Sequence, residues 1–228
     1  MRRGAVWGIA DQAVLAEIAK NNKDGSVRGT AAERITDQSI LIEIANSDPD
    51  AGVRHAAVYR ITDQAALAKI AKKDKNEDIR VTAAFRLKNK VALTDIAKKD
   101  DSPEVRFTAL ASKGITDQAV LADIAKNDKD EEVRAEAVGQ LEDRALLQAF
   151  ARNDKSPLVR TAAAGKLDDQ ALLKELAKSD DRMMRALAVI RLKDEALLAT
   201  FAKDDKDEVV REMAKRRLEE LRKGTPKG

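Results

Sequence analysis

Apolar residues recur along the chain at three- and four-residue spacing in short bursts, each closed by a polar turn. The first burst puts Val14, Leu15, Ile18 and Ala19 on one stripe of a helix from about Asp11 to Lys20, and the next puts Val27, Ala31 and Ile35 on the stripe of a second helix. Asp, Asn or Ser stands three residues before the Val-Arg pair of the second stripe, at Asp24, Asp50, Asn76, Ser102, Asp130, Ser156 and Asp207. A side-chain oxygen there caps a helix N-terminus. Pro103 and Pro157 follow two of these caps, at the first helical position, where the missing N–H costs nothing. The pattern predicts helix, short turn, helix, short turn.

The same unit restarts at residues 11, 37, 63, 89, 117, 143, 169 and 194. Leu15, Leu41, Leu67, Leu93, Leu121, Leu147, Leu173 and Leu198 form one column, and alanine columns begin at Ala19 and Ala31. A pair of three-turn helices cannot cover its own apolar stripe, so neighbouring units must share one core. Two extra residues precede Asp117, with Gly114 as the expected helix terminator, and the unit from Asp169 is one residue short. Residues 1–10 read as a second helix without its first, and 224–228 as a frayed tail. The whole chain, 1–228, reads as a single repeat domain.

Composition narrows the chemistry. Charged residues make up 36% of the chain and aromatics 3%, a palette of helices rather than sheets. The 43 Lys and Arg nearly balance 40 Asp and Glu, so the net charge of +3 implies no strong electrostatic partner. With no cysteine there are no disulfides or thiolate sites, and a reducing cytoplasm is expected. No run approaches the roughly 18 apolar residues of a membrane span. His55 is the only histidine, and the sequence has no glycine-rich phosphate loop or nucleophile elbow, so neither catalysis nor a cofactor is expected. The acidic loop Asp128–Glu132 lacks the spacing of a calcium loop, so no metal is expected either.

The segments Asp24-Gly-Ser-Val-Arg-Gly-Thr-Ala31, Asp130-Glu-Glu-Val-Arg-Ala-Glu-Ala137 and Ser156-Pro-Leu-Val-Arg-Thr-Ala-Ala163 resemble the signature of short HEAT-like repeats of the bilin-lyase type. The resemblance covers nearly the whole chain. It implies an all-α fold, a right-handed α-solenoid of about eight two-helix HEAT-like repeats. The 26-residue unit is short for such repeats and nearer the variant leucine-rich repeats, whose second element can be a tighter helix.

Three sets of positions carry the functional reading. The invariant arginines, from Arg28 and Arg54 to Arg185 and Arg211, have carboxylate partners in a column of Asp48, Asp74, Asp100, Asp128, Asp154, Asp180 and Asp205, and the resemblance implies that the two columns pair. Positions two and six residues after the Val of each second helix face away from its stripe. They hold Trp7, His55, Tyr59, Phe85 and Phe107 in the N-terminal half, and mostly small residues in the C-terminal half. A third column, Arg34, Arg60, Arg86, Lys166, Arg191 and Arg217, stands at the ends of the second helices, where it favours the helix C-terminus. Any of it left over would give an aromatic floor a cationic margin suited to an acidic, partly apolar peptide.

The expected function is a non-catalytic, monomeric protein-binding scaffold, with a partner protein or peptide held on Trp7, His55, Tyr59, Phe85 and Phe107. The alternatives are nucleic-acid binding on the basic face and, by the resemblance, bilin-lyase-like chromophore handling. Replacing the core leucine Leu121 with Ala should cost about 2–5 kcal/mol in chemical unfolding.

Overall fold

The computed structural model describes residues 3–224. Met1, Arg2 and most of the expected tail lie outside them. Among the described residues there are seventeen helices and no strand. A short helix, α1 (Arg3–Val6), precedes eight hairpins. The first four pair α2 (Gln12–Asn21) with α3 (Gly25–Ala32), α4 (Gln38–Ser47) with α5 (Ala51–Arg60), α6 (Gln64–Lys73) with α7 (Glu77–Arg86), and α8 (Lys90–Lys99) with α9 (Pro103–Ala111). The last four pair α10 (Gln118–Asn127) with α11 (Glu131–Gln140), α12 (Arg144–Asn153) with α13 (Pro157–Gly165), α14 (Gln170–Leu176) with α15 (Arg182–Arg191), and α16 (Glu195–Asp204) with α17 (Glu208–Gly224). The fold is an all-α repeat solenoid, and every second element is a regular α-helix. The chain forms two compact units, one up to Val120 and one from Leu121.

The Asp-Gln pair that opens five of the eight units, among them the first two, has two jobs there. Asp11 caps α2 by accepting the Ala13 and Val14 amides at 2.8 and 3.3 Å, as Asp37 does for Ser39 and Ile40. Gln12 reaches the turn that leaves its own repeat, accepting the Thr36 amide at 3.0 Å and donating to the Arg34 carbonyl at 3.3 Å. Gln38 does the same for Thr62 and Arg60. Lys90 stands at this position in the fourth repeat, and the two inserted residues fall in that repeat's exit turn. There α9 ends at Ala111 and the chain reverses through Lys113 at φ 55°. The left-handed residue is Lys113 and not Gly114, which is small for another reason: a Cβ on it would lie 2.4 Å from Leu93 Cδ1.

The columns of the sequence become the core. Leu15, Leu41, Leu67 and Leu93 are buried in the first unit with Ala19, Ala45, Ala71 and Ala97, and Leu121, Leu147, Leu173 and Leu198 are buried in the second. In the first unit, α3, α5, α7 and α9 pack against one another in series, while α2, α4, α6 and α8 touch their neighbours sparingly. Small interface residues such as Ala31, Ala57, Ala83 and Ala109 permit that close approach, so the second helices form the tighter side.

Between repeats runs an ion-pair ladder. Arg28 grips Asp48 through Nε and Nη2 at 2.8 and 2.9 Å, and its Nη1 donates to the Asn22 carbonyl at 2.8 Å. Arg54 repeats this with Asp74 and the Asp48 carbonyl, and Arg80 with Asp100 and the Asp74 carbonyl. Each aspartate also accepts the amide two residues on, as Asp48 does from Asp50 at 2.9 Å. In the second unit Arg134 meets Asp154 and Arg185 meets Asp205.

One rung corrects the sequence reading. Arg160 bonds to Asp181 at 3.2 Å, not to Asp180, which lies exposed and meets Lys206. The reason is the missing residue: α14 stops at Leu176, and the turn after it brings Ser179 to the ladder position. Ser179 Oγ accepts the Asp181 amide, and its carbonyl accepts from Arg185, as Asp48 does for Asp50 and Arg54 elsewhere. Asp181 is thus both ladder acceptor and cap of α15, a cap that the sequence pattern did not pick out.

Burial alone would raise the Asp74 carboxyl, but the Arg54 and Asn76 hydrogen bonds and the nearby positive charge hold it below the usual carboxylate range, and Asp48 behaves alike. For Asp205 the Arg185 hydrogen bond is the leading cause of the same downward shift. A carboxyl whose folded pKa lies below its unfolded value stabilises the fold above the unfolded value of about 3.9, and that contribution fades as pH falls further. Stability to urea should therefore decline below about pH 4, and less steeply in Asp74→Asn. Asp74→Asn itself should cost about 3–5 kcal/mol at neutral pH, because Arg54 would be left buried without its counter-charge.

Candidate partner-binding face

Trp7 follows α1, while Tyr59 and Phe85 sit near the ends of α5 and α7, all at one repeat position on the outward side of the second-helix row. They are 59%, 64% and 76% exposed, values that single them out in a chain whose other large side chains mostly line the core. Glu33 occupies that position between Trp7 and Tyr59. His55, one turn before Tyr59, is also exposed, and Phe107 on α9 is half-buried. All five lie in the first unit, Trp7 just after α1 and the others on α5, α7 and α9.

His55 bridges two repeats. Its Nε2 lies 3.0 Å from Thr82 Oγ1, and the Thr82 hydroxyl already donates to the Asp78 carbonyl at 2.9 Å. The hydroxyl has one proton, so with that proton on the Asp78 carbonyl it is His55 Nε2 that donates to Thr82 Oγ1.

Two of the exposed rings carry an arginine from the following repeat. Arg34 sits over Trp7, 5.9 Å from the ring centroid, and donates to the Val6 carbonyl at 2.8 Å and to the Trp7 carbonyl. Arg86 sits 5.4 Å from the Tyr59 centroid and donates to the Ile61 carbonyl at 3.0 Å. The same position in the second unit behaves alike: Lys166 donates to the Gly139 carbonyl, Arg191 to that of Ala164 and Arg217 to that of Leu192. The basic column is thus mostly occupied in closing the helix ends of the preceding repeat. This removes most of the cationic margin that would suit an acidic peptide.

The C-terminal half is less bare than the aromatic count implies. Leu158, Met183 and Val209 are 38%, 51% and 47% exposed, at the position after each second-helix start, and Ile190 is 47% exposed further along α15. The periodicity already contains them, because a residue three before the first outward position lies on the same face. The outward face thus has a third position beside the two that carry the aromatics in the first unit.

Among the described residues no group of His, Cys, Asp or Glu could hold a metal ion, and no helix is long and apolar enough to cross a membrane.

Comparison with solved structures bears on the fold. A leucine-rich repeat variant, described as carrying a novel repetitive structural motif, aligns over 91% of this chain and 82% of its own at 24% identity, with a TM-score of 0.69. The YibA protein of Escherichia coli aligns over 95% of both chains at 17% identity, with a TM-score of 0.54. The chain has a short helical-repeat solenoid fold. An archaeal HEAT-like repeats protein from Thermococcus onnurineus also aligns over 95% of this chain and 98% of its own, at 13% identity and a TM-score of 0.38. No protein-family model matches the sequence, and no curated protein matches it.

Trp7 is the sole tryptophan, so fluorescence reads this face directly. Its emission should be readily quenched by acrylamide in the folded protein, and Arg34→Ala should raise the quenching constant by uncovering one side of the ring. A shielded Trp7 would contradict the arrangement.

Proposed function

We propose that this chain is a non-catalytic binding scaffold that holds a segment of a partner protein along the second helices of its first unit, on Trp7, His55, Tyr59, Phe85 and Phe107. The observation that carries the reading is the exposure of Trp7, Tyr59 and Phe85 on one row of helices. Large aromatic side chains are costly to leave in water, and they dominate the energetics of protein interfaces. The helices beneath them are fixed by the arginine ladder, so little ordering is needed on binding. Arg34 and Arg86 hold two of the rings in place.

Nucleic-acid binding draws less support, because the ladder arginines are matched with carboxylates and most of the basic column is engaged with carbonyls. Duplex DNA titrated at falling salt should show no steepening association.

Selection of random linear peptides on the immobilised protein provides ligands for the test. Their affinity should fall by roughly tenfold or more in a Tyr59→Ala/Phe85→Ala double variant. Both side chains are exposed, so the variant's circular dichroism and melting should stay close to those of the parent. Equal affinity for parent and variant would refute this face as the docking site.

A further inference from the structure

Two helices of the first unit end where a cation from the next repeat closes them. After α1 and α5 that cation is present: Arg34 lies on Trp7 and Arg86 on Tyr59, each also bonded to carbonyls at the end of the helix it covers. After α7 the corresponding residue is Ser112, whose hydroxyl turns back to the Ala109 carbonyl at 2.7 Å. Phe85 therefore lacks the arginine its counterparts carry, and it is the most exposed of the three rings.

A second, independent donor is missing at the same helix end. The carbonyls of Arg34, Arg60 and Arg191 each accept a glutamine Nε2 at 3.3 Å from their own repeat. Gln64 instead donates to the Thr62 carbonyl at 3.2 Å, so among the described residues no side chain donates to the Arg86 carbonyl. The end of α7 thus combines an uncovered aromatic face, a carbonyl without its usual side-chain donor, and the negative pole of a ten-residue helix. Arg86 itself faces the other way, onto Tyr59.

We propose that this open seat receives an arginine side chain of the bound partner segment, stacked on Phe85 and donating to the carbonyls that close α7. The inference deepens the docking reading above and rests on it. A guanidinium fits better than an ammonium, because its plane can lie on the ring while its edge carries several N–H donors to the carbonyls. The protein's own Arg34 and Arg86 show the arrangement the ligand would copy. A partner segment with an arginine, and not the acidic peptide that the basic column first implied, is the complementary occupant.

The test uses acetyl-arginine methylamide and its neutral counterpart acetyl-citrulline methylamide, titrated into the full chain and followed by NMR. The arginine probe should shift the Phe85 ring and the amides of residues 85–88 saturably, with the citrulline probe roughly fivefold weaker. Phe85→Ala should abolish the effect, and Ser112→Arg, which supplies the missing side chain from within, should block it. Equal response to both probes, or shifts that persist in Phe85→Ala, would overturn the assignment. The two levels separate cleanly. Selected peptides that need the aromatic face but bind equally well with arginine replaced by citrulline would sink the seat and leave the docking reading standing. Saturable arginine binding at Phe85, with no selected peptide sensitive to the aromatic face, would support the seat and sink the reading.

Discussion

The fold depends on a buried guanidinium that must satisfy its hydrogen bonds without water. An arginine at the start of a second helix can do so only if three things surround it: a carboxylate from the next repeat, carbonyls from its own inter-helix turn, and a cap that holds that turn in place. Arg54 has all three in Asp74, the Asp48 carbonyl and the Asp50 cap. Breaking one leaves charge stranded in a poor dielectric, which costs more than the pair contributes by its attraction. The leucine and alanine columns provide the larger share of burial, but they are tolerant of sliding. The ladder is not, because a planar fork accepts a carboxylate in few orientations.

That constraint explains how irregular repeats are accommodated. The shortened unit from Asp169 keeps Arg185 on its carbonyls and its own next-repeat aspartate, and moves the compromise to the neighbour, where Arg160 must share the cap Asp181. In the fourth repeat the extra residues fall in the exit turn, away from the ladder, where Lys90 replaces the clamping glutamine and Lys113 takes the left-handed backbone. Within the first unit α5, α7 and α9 still pack in series, and within the second α13, α15 and α17 do so past the shortened repeat. What varies is what each unit's own row presents outward: aromatics in the first unit, aliphatic side chains such as Leu158 and Met183 in the second.

Most of the fold was legible in the sequence, because periodicity and capping are local. Leu15 and its column and the caps from Asp24 to Ser156 follow from spacing alone, and the pairing of Arg with Asp from the resemblance to HEAT-like repeats. The misses lie where a choice between near-equivalent groups is made in three dimensions. Nothing local distinguishes Asp180 from Asp181, or Lys113 from Gly114, until the length of α14 and the approach of Leu93 are known. The role of Gln12 was hidden because its partner lies 24 residues away. The outward aromatics were legible as exposed positions; that Arg34 and Arg86 are already committed to them was not, since a basic residue at a helix end reads the same whether its charge is free or bonded.

The central claim is that Arg–Asp coupling between repeats sets the frame on which the second helices present their outer face. A double-mutant cycle on Arg54 and Asp74, using Arg54→Met and Asp74→Asn followed by urea unfolding, measures that coupling directly. A coupling energy of about 1.5–3 kcal/mol is the expected result. Additive effects of the two substitutions would contradict the account.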